Sequence, residues 1–137
     1  MKYVRNLLFI ILLLLIDQLT KFYFFGKSIF LFKYFSFNYI ENTGVTFGLF
    51  QGNNLFFIIF SLIIIGLVFY FYKKYDKYNI AWNFILAGAF GNLLDRIIHG
   101  FVVDFIDLGF WYVFNLADSF IIIGIGLLLF YFIKEKN

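Results

Sequence analysis

The chain has 137 residues, of which 64% are hydrophobic, 26% aromatic and 14% charged, with no cysteine and a formal charge of +3. A soluble domain of this size is about half apolar and about a quarter charged, so the composition excludes an ordinary soluble globule and points to an integral membrane protein. Without cysteine there is no disulfide, no thiolate nucleophile and no cysteine-ligated metal.

About 20 residues at a rise of about 1.5 Å cross the hydrocarbon core of a bilayer, and apolar runs of that length recur along the chain. The first, "LLFIILLLLI", follows "MKYVRN" and leads into "DQLTKFYFF" without a small-residue cleavage site, so it reads as a retained helix over about residues 4–25 rather than a removed leader. Between it and the next run, "FSFNYIENTG" alternates Phe35, Phe37 and Tyr39 with Ser36 and Asn38 before a turn-like Asn-Thr-Gly. Period two predicts a strand, and hence a small extracytoplasmic β element resting on the membrane surface. Further apolar runs predict helices over about 55–72, 80–98 and 113–133. The expected fold is a single all-α membrane domain over residues 1–137, with four transmembrane helices and the β element between the first and second.

Charge placement orients these crossings. Lys2 and Arg5 precede the first helix, Lys73, Lys74 and Lys77 fill the link between the second and third, and Lys134 and Lys136 follow the fourth. Four crossings put all of these on one side, so both termini are expected in the cytoplasm. Lys21, Lys27 and Lys33 make the bias less than absolute. Aromatic belts fit both interfaces, Tyr70, Tyr72, Tyr75, Tyr78 and Trp82 inside and Tyr34, Tyr39, Trp111 and Tyr112 outside.

The acidic residues carry the functional signal. Asp76 and Glu135 lie in cytoplasmic flanks, whereas Asp17, Glu41, Asp95, Asp104, Asp107 and Asp118 map to the outer half. A charge at the bilayer centre costs about 2.5–3.5 kcal/mol or more, so such groups face a bundle interior or a watery cavity. Asn92, Asp95 and Arg96 share one helical face, which His99 extends; Asn115 and Asp118 share another at the start of the fourth helix, and the two faces can meet. Asp17 with Lys21 and Asp95 with Arg96 read first as ion pairs at the headgroup level, and Asp107 as a solvated carboxylate. One His among scattered carboxylates makes a poor zinc set. Asp104 and Asp118 have no basic partner within helical reach and both border apolar sequence. Two carboxyls held close cannot easily both ionise, so one keeps a proton near neutral pH while the other acts as a base, as hydrolysis of an amide requires.

The residues also match a known pattern. Four ordered blocks, "DQLTK" at 17–21, "NTGVTFG" at 42–48, "GNLLDRIIHGFVVDFID" at 91–107 and "FNLADS" at 114–119, resemble the bacterial lipoprotein signal peptidases, the signal peptidase II family of membrane aspartic endopeptidases. The resemblance implies Asp104 and Asp118 as the catalytic dyad. It implies that Asn42, Asn92, Asp95, Arg96 and Asn115, with Asp17 as a further motif position, hold substrate or brace the site. Beside this, the β element and the "NTGVTFG" turn are expected to close over the substrate, with Gly44 and Gly48 allowing close backbone approach. The resemblance further implies prolipoprotein substrates cut on the N-terminal side of a diacylglyceryl-modified Cys, inhibition by the cyclic peptide globomycin, no cofactor or metal, and no nucleic-acid partner. A monomer among membrane lipids in the bacterial inner membrane is expected, with the active site near its outer face. Two departures stand out: the stretch between Asp104 and Asp118 is short, and Thr46 stands where a smaller Ala is expected. The rival readings are a small proton- or ion-coupled transporter, whose midplane repeat signature is missing, and a helical scaffold, which accounts for Gly124 and Gly126 but not for the polar clustering.

Overall fold

The computed structural model describes residues 1–44 and 52–136. Its helices are α1 (Lys2–Phe24), α2 (Asn54–Lys74), α3 (Asn79–Ile98) and α4 (Leu116–Lys136), with a 3-10 turn at Asp76–Tyr78 and strands β1 (Ser28–Phe32), β2 (Phe35–Asn42) and β3 (Val102–Asp107). Among the described residues, α1, α2 and α4 are long and apolar enough to cross a membrane. The less apolar α3 is the one the others pack around. It buries the small residues Ala81, Ala87, Gly88, Ala89 and Gly91 as well as Trp82, Ile85, Leu86 and Leu93, and a helix surrounded by protein has no need of a lipid-facing apolar surface. Ile65 and Val68 of α2 pack against Trp82, Ile85, Leu86, Ala89 and Leu93, while Leu13 of α1 and Phe120 of α4 meet Ala87. The outer faces of α1, α2 and α4 carry exposed Leu, Ile and Phe, as lipid contact requires.

Two expectations are corrected. The β element is not confined to the segment between the first two helices: β2 is the central strand of an antiparallel sheet ordered β1-β2-β3, and β3 comes from after α3. Its register pairs Ile40 with Asp104 and Asn42 with Val102, so Asp104 stands on a strand, diagonal to Asn42 on one face. Phe24, at the end of α1, stacks on Phe37 and Phe105 with ring centroids 4.3 and 4.7 Å away, fixing the sheet to the helices. The fourth helix starts at Leu116 rather than 113, because Phe114 is still tied to β3: Phe105 and Ile106 N–H donate to its carbonyl at 3.0 and 2.8 Å. Asn115 then caps the helix. Its Oδ1 accepts the Asp118 N–H at 2.9 Å while Asp118 Oδ2 accepts the Asn115 N–H at 3.3 Å, a reciprocal capping box that satisfies otherwise orphaned donors.

Candidate active site

Where the sheet meets one end of α2, α3 and α4, a cavity of about 490 Å³ opens. Asn42, Asn92, Arg96, Asp104 and Asp118 line its polar end, and Phe60, Ile64, Ile121 and Ile122 line an apolar stretch between α2 and α4. Asp104 arrives on β3 and Asp118 in the first turn of α4. The capped start of α4 and the tie between Phe114 and Ile106 bring the two together.

Each carboxylate oxygen has an N–H donor. Asp104 Oδ2 accepts from Asn42 Nδ2 at 2.9 Å and Oδ1 from Asn115 Nδ2 at 2.7 Å; Asp118 Oδ1 accepts from Asn92 Nδ2 at 2.8 Å and Oδ2 from the Asn115 backbone. Asp104 is 2% exposed. Burial first, and the Asp118 charge second, push its carboxyl up to about 7, against the lowering effect of its asparagine donors. One buried acid that keeps its proton near neutrality beside a second carboxyl is the arrangement that acid–base hydrolysis needs.

Beneath this pair lies a second polar layer. Lys21 Nζ stands 2.9 Å from Asp17 Oδ2 and 3.1 Å from Asp95 Oδ2, with side chains almost wholly buried, and donates to Asn92 Oδ1 at 3.0 Å. Asp17 Oδ1 also accepts the Ala117 N–H at 2.8 Å, and Asp95 Oδ2 the Val103 N–H at 3.0 Å. Thus Asp17 ties α1 to the start of α4 and Asp95 ties α3 to β3. The expected Asp17–Lys21 pair is present but sits inside the bundle rather than at a headgroup surface. The expected Asp95–Arg96 pair is corrected: among the described residues Asp95 pairs with Lys21, while the Arg96 guanidinium lies 5.2 Å from the Phe57 ring centroid and lines the cavity. Adjacent residues on a helix diverge by about 100°, which sends the two side chains to different neighbours.

The remaining expected positions fall as follows. Gly44 is buried at the cavity and donates its N–H to Asn42 Oδ1 at 3.1 Å. Asp107 is partly exposed and accepts the Gly109 N–H at 2.7 Å, shaping a turn. His99 is exposed beyond α3 among Phe25 and Phe101. Thr46 and Gly48 lie outside the described residues, as does most of the turn expected to close over the substrate. Sequence reading missed Gln18, whose Nε2 reaches Asp17, Asp95 and the Gly91 carbonyl at 3.0–3.3 Å, and the full role of Lys21. Both stand in the "DQLTK" block, which was the available signal.

Three helices apolar enough to cross a membrane, packed around a fourth, with two carboxyls lining a cavity at one end, define a membrane protein with a polar pocket in its bundle. The chain belongs to the signal peptidase II family, whose description, "Signal peptidase (SPase) II", matches residues 9–134. It is 40% identical to the lipoprotein signal peptidase of Thermodesulfovibrio yellowstonii, over 98% of this chain and 99% of the relative. It is 36% identical to that of Halothermothrix orenii, over 93% and 94%. A bacterial membrane enzyme solved by the in meso method at 2.3 Å superposes with a TM-score of 0.87 at 30% identity, covering 97% of this chain and 90% of the other. These comparisons support a lipoprotein-processing membrane peptidase and give no support to an ion-coupled transporter.

Proposed function

We propose that the protein is an aspartic endopeptidase of the bacterial cytoplasmic membrane. It removes signal peptides from prolipoproteins on the N-terminal side of a diacylglyceryl-modified Cys. The observation that carries this reading is the pair of carboxyls, Asp104 buried and Asp118 partly buried, lining one cavity with an N–H donor on every oxygen. The ionised member takes a proton from water as the water attacks the scissile carbonyl carbon, and the protonated member donates to the carbonyl oxygen. Proton movement in the opposite sense then lets the amine leave. No covalent intermediate is needed.

The apolar stretch of the cavity suits a signal-peptide helix entering from lipid, and its polar end suits the backbone around the cleavage site. Asn42, Asn92 and Asn115 hold the carboxyls, Asp17 and Asp95 brace the elements that carry them, and Arg96 and Gly44 border the substrate path. We further infer a single domain with four crossings, both termini cytoplasmic, the cavity near the outer face, and a monomer that globomycin-type peptides block.

Purified protein given a diacylglyceryl-modified prolipoprotein is expected to release two products whose masses place the cut before the modified Cys. Asp104→Asn and Asp118→Asn are each expected to lose a factor of about 10²–10⁴ or more in kcat while staying folded. Parent-like cleavage by either folded variant overturns the dyad.

A further inference from the structure

We propose that Lys21 is a positioning residue for this chemistry: its buried ammonium holds the Asn92 carboxamide in the one orientation that turns an N–H toward Asp118. The inference rests on the reading of Asp104 and Asp118 as the acid–base pair.

Three asparagines share one task, each turning an N–H toward a carboxyl of the pair. A carboxamide presents an oxygen on one side and an NH2 on the other, and only the NH2 side can serve a carboxylate. Asn42 is set by the Gly44 backbone, whose N–H occupies Oδ1 at 3.1 Å and leaves Nδ2 for Asp104. Asn115 is set by the Asp118 backbone, whose N–H occupies Oδ1 at 2.9 Å and leaves Nδ2 for Asp104. Asn92 has no such backbone donor in the described structure. Its Oδ1 takes Lys21 Nζ at 3.0 Å and Asn115 Nδ2 at 3.1 Å. The second of these is a shared donor, because Asn115 Nδ2 also reaches Val103 O at 3.3 Å and, nearest, Asp104 at 2.7 Å. Lys21 therefore does for Asn92 what backbone N–H groups do for the other two.

The ammonium is well suited to this. It has three protons, and three oxygens surround it: Asp17 Oδ2, Asp95 Oδ2 and Asn92 Oδ1. With the side chain 3% exposed, every donor is committed and the group cannot turn. A strut between α1 and α3 requires only the two carboxylates; the third proton goes to the asparagine that touches Asp118. A flipped Asn92 would set its oxygen against the Asp118 carboxylate and its NH2 against the ammonium, two repulsive contacts in a buried place.

Loss of Lys21 alone leaves two buried carboxylates without their cation, so the test uses an Asp17→Asn background. There, removal of Lys21 leaves Asp95 as the cluster's sole charge and keeps the net value of one cation with two carboxylates. Against Asp17→Asn, the double variant Lys21→Met/Asp17→Asn is expected to lose roughly ten- to a hundredfold in kcat on lipidated prolipoprotein, the scale of one charge-assisted hydrogen bond, with KM nearly unchanged. Adding Asn92→Ala to this double variant is expected to cost several-fold less than Asn92→Ala costs in the Asp17→Asn background, because both changes break one chain of contacts. If the methionine variant fails to fold in detergent, Lys21→Leu in the same background, which also lacks a donor, carries the same non-additivity test. A folded variant with unchanged kcat, or losses that multiply with Asn92→Ala, overturns the proposal. Asp104→Asn and Asp118→Asn run in the same assay separate the two readings. Their inactivity with an active Lys21 variant sinks only the positioning role, whereas parent-like cleavage by either sinks the dyad itself.

Discussion

The N–H donors do not by themselves decide which of the two carboxyls keeps the proton, since Asp104 and Asp118 each accept two. What sets the working range is burial and mutual charge, which raise Asp104 to about 7. The pair titrates as a unit. Raising the pH through that value removes the proton that the acid must donate, so kcat is expected to fall on the alkaline side, with a limb near 7. Asn42 opposes the rise by stabilising the anion, so Asn42→Ala is expected to move that limb to higher pH. A kcat–pH profile of parent and variant checks both; a limb that stays put, or moves down, refutes the assignment. The two carboxylates were legible in the sequence because a charge in apolar surroundings has a cost that demands a reason. The partner of Asp95 was not. Spacing along one helix reports only neighbours on that helix, and Lys21 reaches Asp95 from another.

Between elements, the decisive feature is how closely α3 and α4 approach. A Cβ built on Gly88 would stand 2.2 Å from the Ala117 carbonyl oxygen and 2.7 Å from Ile121 Cγ1; one on Gly124 would stand 2.7 Å from the Ala81 carbonyl oxygen. Backbone cannot yield cheaply, so Gly88→Ala is expected to force the helices apart and cost about 1–3 kcal/mol. It should lower cleavage as well, since Ala117 precedes Asp118 and Asn92 donates to Asp118 across the same contact. Gly66, on the exposed face of α2, has nothing within 4 Å of its built Cβ. Gly66→Ala is therefore expected to be neutral or slightly stabilising, by up to about 1 kcal/mol. Thermal unfolding of both variants in one detergent tests the contrast, and equal effects would show that packing at Gly88 is not limiting. The helices were readable from apolar length, and β2 from its alternation. β3 was not, because "VVDFID" reads as a buried apolar stretch, and strand pairing between residues some 60 positions apart, such as Asn42 and Val102, leaves no local trace.

At the scale of the whole molecule, the question is whether α3 crosses the bilayer although it is the least lipid-like of the helices. Two ion pairs gather one end of the bundle: Lys2 with Asp76, and Lys77 with Glu135. The pairing of β2 with β3 gathers the other, where α1 and α3 both finish. The 20 residues of α3, at about 1.5 Å each, make about 30 Å, the thickness of the hydrocarbon core. Its polar residues face other helices and β3 rather than lipid, so low apolarity is no bar to crossing. Three of the helices meet the length and apolarity of a membrane span; the fourth crossing, by α3, is our proposal, and a sequence free of cysteine makes the test direct. Single cysteines are placed at the exposed positions Lys73→Cys, Lys33→Cys and Phe110→Cys, and whole cells with a permeabilised outer layer are treated with a membrane-impermeant maleimide. Positions 33 and 110 are expected to label in intact cells, and position 73 only after the membrane is broken. Labelling of 73 together with 110 in intact cells would mean that α3 does not cross, and would separate the cytoplasmic basic flank from the orientation inferred here. Labelling of 33 and 110 only after lysis would invert the molecule and put the carboxyl pair on the wrong side for a substrate cut near the outer leaflet.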